Sequence, residues 1–251
     1  MFENYRYPGE FERVSDVFMS WMPDNIDAEG YDSRQTCVDI VRALEGHARL
    51  HINCGSEGIL DKCRRKLKEG GMDISKILFT QYEDSNFYVR DNGPNIMIDD
   101  HGGRIAVNPK WNYYGVGDAN SEDCLLARRA GLHMALSIGC YSFINSDMVS
   151  EGGDREFNGD GVMMAIEDTE CRKRNPQYTK EQVEEEYKRL YHVDKIIWLP
   201  NPLLEDDDLR MGPLETKDGI PIFGSSFAAH VDEMCRFIGR NKVILAEVSE
   251  E

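Results

Sequence analysis

Short apolar runs of strand character alternate along this chain with segments whose apolar residues recur at helical spacing, the pattern of an α/β protein. Val14 to Trp21 reads as a strand, and Asp32 or Ser33 then caps a helix that puts Val38, Val41 and Leu44 on one face. Leu50 to Asn53 follows as a short strand. A second helix opens near Glu57, buries Leu60, Cys63 and Leu67, and ends at Gly70-Gly71 ahead of a strand from Lys76 to Thr80. Farther on, Glu122 to Leu136 is helical and Val162 to Ile166 is a strand. Thr179-Lys180-Glu181-Gln182 has the form of a capping box, in which hydroxyl and amide each satisfy a backbone N–H that the first helical turn leaves open. The helix it starts carries Val183, Tyr187 and Leu190 on one side, and strands at Lys195 to Leu199 and Ala228 to Phe237 complete the pattern. Strands come in pairs with a helix between groups. There is no residue-level repeat, low-complexity tract or linker, so a single domain over residues 1–251 is expected. From Leu204 to Gly224, the acidic run Glu205 to Asp208 and the turn signals Gly212-Pro213 and Gly219 mark an exposed loop placed to act as a lid.

Composition narrows the classes of function. With 251 residues, 41% of them hydrophobic, the chain can bury a full core. Its net charge of −17, from 46 acidic against 29 basic residues, disfavours nucleic acid and anionic membrane as partners and suits a cationic ligand. The N-terminal residues lack the basic start and apolar run of a signal peptide, and no stretch approaches the roughly 18 apolar residues of a membrane span, so a cytoplasmic location is expected. The seven cysteines form no CxxC pair and no zinc-ligand spacing, which predicts reduced, mostly buried thiols. His133 and His192 lack companions at ligand spacing, so neither a metal nor another cofactor is expected.

The candidate chemistry lies in three distant clusters. His230 and Asp232 are two apart on the expected last strand and would point to one side, with Cys235 facing away into the core. Arg90-Asp91-Asn92-Gly93-Pro94 and Glu151-Gly152-Gly153 supply further acids. Each also has an ordinary structural reading: an ion pair beside an Asn-Gly-Pro turn for the first, a hairpin turning at Asn158-Gly159 for the second. Meeting at one histidine, these carboxylates would suit a planar cation, since a guanidinium presents a flat fork of N–H donors that carboxylates accept in pairs.

In this order, YRYPGEFE (5–12), VRDNGP (89–94), EGGDREFNGDG (151–161), RNP (174–176), IIWLP (196–200) and HVDEMCRF (230–237) resemble the agmatine deiminase and bacterial peptidylarginine deiminase family of guanidine-modifying enzymes. The resemblance implies a pentein fold, a propeller of ββαβ modules with the site in the central channel, and a small cationic guanidino substrate. It assigns Asp91 and Asp232 to holding the guanidinium, His230 to general acid and base catalysis, and Glu151 to support of the site. Arg90 and Trp111, the latter in an aromatic stretch Trp111 to Gly115, are the further substrate-binding candidates. The family's nucleophile is a cysteine in a final glycine-rich segment, and no thiol follows Asp232 here except Cys235. One module is therefore expected to be missing, leaving an incomplete propeller whose exposed strand edges predict self-association or low stability. Ser85 to Tyr88 stands where the family has an acid and a tryptophan, so Asn86 replaces a substrate-facing carboxylate. Two readings follow: a deiminase-type hydrolase of agmatine or a related guanidino compound within polyamine (putrescine) synthesis, or a silent guanidinium-binding relative. A metal-dependent amidohydrolase using His230 and Asp232 as ligands has no second histidine cluster to support it.

Overall fold

A computed structural model describes residues 4–21, 32–83, 87–203, 206, 215–217, 220–222 and 228–247. The first sheet is built from β1 (Asp16–Ser20), β2 (Arg49–Asn53) and β3 (Ile77–Thr80) in that order, all parallel. α1 (Ser33–Leu44) and α2 (Glu57–Glu69) occupy the connections between them. Asp32 caps α1 by accepting from the Arg34 amide, and the buried face Cys37, Val38 and Val41 meets Leu60, Cys63 and Leu67 of α2 over Leu50 and Ile52. Because a helix follows β1 in place of a tight turn, β2 must run parallel to it. This unit is therefore βαβαβ and not the ββαβ expected throughout.

The next two units do have that form. β4 (Asn95–Ile98) pairs antiparallel with β5 (Arg104–Lys110), which pairs parallel with β6 (Ser142–Val149) after the crossover helix α4 (Glu122–Ser137). β7 (Glu156–Phe157), β8 (Val162–Ile166), α5 (Lys180–Tyr191) and β9 (Lys195–Leu199) repeat the arrangement. Both halves of the capping box form, with Thr179 Oγ1 accepting from the Gln182 amide at 3.3 Å and Gln182 Oε1 from the Thr179 amide at 2.8 Å. Val183, Tyr187, Leu190 and Tyr191 of α5 then join Met97, Ile105, Val107, Phe157 and Met163 in the largest buried cluster, which ties these two units together. A hairpin of β12 (Cys235–Gly239) and β13 (Lys242–Leu245) and a short ribbon of β10 (Glu215–Lys217) and β11 (Ile220–Ile222) complete the described elements. The sheets stay separate and close no ring among the described residues.

One sequence expectation changes. The strand expected from Ala228 to Phe237 begins only at Cys235; before it, His230 caps a 3₁₀ turn over Val231–Glu233, held where the Val231 amide donates to Asp154 Oδ1 at 3.1 Å. A buried carboxylate takes the hydrogen bond that a neighbouring strand would otherwise supply. Cys235 is core as expected, beside Met164. Most of the loop 204–224 lies outside the described residues, as does Asn86, and the described part contains the β10–β11 ribbon.

Candidate active site

Three turns carry the acids and the histidine to one place. The first is α3 (Val89–Asn92), a single helical turn that buries Asp91 and Asn92. Asp91 Oδ2 accepts from the Tyr114 hydroxyl at 2.9 Å, and Oδ1 accepts from the Gly153 amide at 3.0 Å. The second is the 3₁₀ turn Gly152–Asp154, which follows Glu151. Its glycines are required by close approach: a Cβ on Gly152 would lie 2.0 Å from the Arg90 carbonyl oxygen, and one on Gly153 would lie 2.3 Å from His230 Nδ1. The third is Ala228 to Glu233, in which Ala229 adopts a left-handed φ of 59°. Such a conformation costs an alanine energy and persists only where the surroundings fix it. Here they do so through Thr169, whose hydroxyl donates to the Ala229 carbonyl at 2.7 Å, and Arg174, which donates to the Ala228 carbonyl at 2.9 Å.

His230 is consequently buried among acids. Its Nδ1 lies 3.7 Å from Asp91 Oδ1 and its Nε2 3.5 Å from Glu151 Oε2, distances of charge contact more than of hydrogen bonding, and Nε2 has no hydrogen-bond partner among the described residues. Burial alone would lower the proton affinity of the imidazole, but Glu151, Asp91 and Asp232 outweigh it and hold the pKa above the ordinary histidine value. The carboxylates divide. Asp91 and Asp232 are pushed above the usual range because desolvation exceeds the attraction of His230, whereas in Glu151 desolvation is overcome by His230 and Arg174 and the pKa falls. Arg174 Nε donates to both Glu151 oxygens at 2.8 Å, which explains how a wholly buried carboxylate remains ionised.

A cavity of about 830 Å³ opens onto this cluster, lined by Asp91, His230, Asp232, Glu233, Arg90 and Tyr114 and by the apolar Phe18, Met19 and Ile40 of the first unit. Asp232 faces it at the end of the histidine turn, 3.4 Å from Arg90 Nε. Arg90 is itself committed, its two terminal nitrogens 2.5 and 3.0 Å from the Glu10 carboxylate, so it holds Asp232 in place and presents no free fork to a ligand. Trp111 is absent from the cavity wall. It is 2% exposed and packs edge-on against Tyr114 at a centroid distance of 5.0 Å, and Tyr114, three residues later, is the member of that stretch that lines the cavity. Thus the structure brings Asp91, Glu151, His230 and Asp232 together, adds Arg90 as an ion-pair partner, and sets Trp111 behind the site. The sequence assigns no role to Tyr114, Asp154, Thr169 or Arg174, although Asp154 and Arg174 lie inside the segments 151–161 and 174–176 and Tyr114 inside the aromatic stretch 111–115.

None of the seven cysteines lines the cavity, and all are buried. No group of His, Cys, Asp and Glu among the described residues could hold a metal ion, and no described helix is long and apolar enough to cross a membrane.

This α/β fold gathers the carboxylates of Asp91, Glu151 and Asp232 around one buried imidazole. The model of the Porphyromonas-type peptidyl-arginine deiminase family matches residues 6–212, and the chain belongs to that family. The agmatine deiminase of Pseudomonas syringae pv. tomato is 28% identical over 250 residues, 97% of this chain and 61% of its own length. That of Stutzerimonas stutzeri is likewise 28% identical, over 254 residues and the same shares. The chain thus spans about three fifths of the length of these curated relatives. Among solved structures, the agmatine deiminase of Enterococcus faecalis superposes with a TM-score of 0.77 at 24% identity, over 99% of this chain and 62% of that one. A putative arginine deiminase of Porphyromonas gingivalis gives 0.68 at 18%, over 96% and 65%. These likenesses establish the fold.

Proposed function

We propose that the site receives the guanidinium of agmatine or a related arginine-type compound, and that it serves hydrolysis to a ureido product and ammonia. The observation that carries this reading is the presence of Asp91, Asp232 and a high-affinity imidazole on one cavity wall. The two ββαβ units and the β12–β13 hairpin support the finer view of the fold as a pentein propeller with this cavity at its channel.

The chemistry follows from the groups. Asp91 and Asp232 accept the N–H fork and keep the substrate carbon fixed while it remains positively charged. That carbon is a weak electrophile because its charge is delocalised, so a thiolate attack that forms a C–S bond is favoured over direct hydrolysis. His230, whose hold on its proton is strengthened by its three acids, gives that proton to the departing nitrogen as the C–N bond breaks and ammonia leaves. The neutral imidazole then takes a proton from water, whose oxygen adds to the same carbon, and the C–S bond breaks to return the thiolate and release the ureido group. Glu151 fixes the ring from behind. None of the seven cysteines lines the cavity, which supports the reading that the thiolate is supplied from outside these 251 residues. Without it the same site is a guanidinium receptor, which is the second reading.

Calorimetry with agmatine, run beside assays for ammonia and carbamoylputrescine, separates the two. Binding abolished in Asp91→Asn and Asp232→Asn supports the site; binding that survives both substitutions refutes it. Turnover by this chain alone would disprove the need for an outside thiolate.

A further inference from the structure

Arg174 ends an unusually wide π-helical turn, Asp168–Arg174, and its guanidinium joins parts of the site that are far apart in sequence. Nε donates to both oxygens of Glu151, Nη2 donates to the Ala228 carbonyl two residues before His230, and Nη1 lies beside the aromatic turn, where a Cβ on Gly115 would come within 2.9 Å of it. The side chains of Arg174 and Glu151 are both fully buried. Glu151 Oε2, one of the two oxygens that accept from Arg174, also lies 3.5 Å from His230 Nε2.

From this arrangement we infer that Arg174 is a positioning residue that sets the proton affinity of His230 through Glu151. A buried carboxylate without a cation takes up a proton. Arg174 prevents this, so Glu151 stays negative and orients the imidazole. The other groups facing His230 are Asp91 on α3, Asp232 and Glu233 on its own turn, the ring of Tyr114, and Asp206; those acting on the Arg174–Glu151 pair are Asp154 and Glu170, whose pKa values burial raises. None of them replaces the positive charge of Arg174.

The catalytic meaning of this inference rests on the proposed function, but its test does not. The imidazole of His230 is titrated by NMR in the whole chain, with His230→Gln identifying its signal among the six histidines. In Arg174→Met the midpoint should move to lower pH, because Glu151, left without its cation, takes up a proton and no longer stabilises the imidazolium. In Arg174→Lys, which keeps the charge and loses the fork, it should stay near the parent value, and in Glu151→Gln it should fall. A midpoint unchanged or raised in Arg174→Met would show that Arg174 only fills space or excludes water. Should Arg174→Met fail to fold, Arg174→Lys decides: a parent-like midpoint sustains the inference and a displaced one overturns it. An unshifted midpoint in Glu151→Gln overturns it as well.

Discussion

Gly153→Ala tests the close approach on which the site depends. The added Cβ would lie 2.3 Å from His230 Nδ1 and 3.0 Å from Asp91 Oδ1, where ordinary contacts begin at 3.4 Å. The imidazole and the turn must therefore separate by about 1 Å, and the Gly153 amide, which donates to Asp91, moves with them. Overpacking of this kind costs about 1–3 kcal/mol, which in a chain of this size lowers the unfolding temperature by roughly 2–12 °C. Misplacement by about 1 Å costs on the order of 100-fold in any function that needs Asp91 and His230 aligned. Thermal unfolding and agmatine calorimetry read the two effects separately. Gly58→Ala is the control: it sits in α2 with nothing within 4 Å of its Cβ, and should be neutral or stabilising by up to about 1 kcal/mol. If Gly153→Ala unfolds and binds like the parent, the packing of the Glu-Gly-Gly turn onto His230 is not what sets the site.

Ala229→Gly should stabilise the protein by up to about 1 kcal/mol, since glycine adopts the left-handed φ of 59° without strain, and a lowered unfolding temperature would mean that the conformation costs alanine nothing. The pH dependence has a definite sign. His230, Asp91 and Asp232 all have pKa values raised by folding, so each contributes stability that is fully present below its unfolded pKa and is lost as pH rises through its folded one. Binding of a guanidinium runs the other way, because the same deprotonations make the cavity more negative. The upward shift of the unfolding temperature produced by saturating agmatine should thus grow from pH 5 to pH 8, and a constant or shrinking shift would contradict cation binding at these carboxylates.

Much of the fold was written in local pattern. α1, α2, α4 and α5 and the strands β1, β2, β3, β8 and β9 follow from apolar periodicity and caps, because burial and the demands of helix ends act over a few residues. β4, β5 and β6 left weaker traces. Asn95, Asn108 and Asn145 interrupt their apolar runs, and these residues are satisfied by partners met only in the fold: Asn95 receives the Arg155 guanidinium at 2.8 Å, and Asn108 donates to Asn145. The first unit shows the same limit, since helical periodicity reveals α1 and α2 but not which strands they make parallel.

The sequence by itself determined which residue types were available to the site: Asp91, Glu151, His230 and Asp232, each marked by the glycines or acids beside it. Tertiary structure decided their geometry. Whether His230 and Asp232 would lie on a strand depended on Asp154, more than seventy residues away, capturing the Val231 amide and turning the chain into a 3₁₀ helix. Whether Trp111 or Tyr114 would face the cavity depended on left-handed conformations at Tyr113 and Tyr114 that composition does not announce. The proton affinities depended on how far each acid was taken out of water and which cation came with it, Arg174 for Glu151 and Arg90 for Asp232. Those quantities are set by distance and burial, which no stretch of local sequence contains.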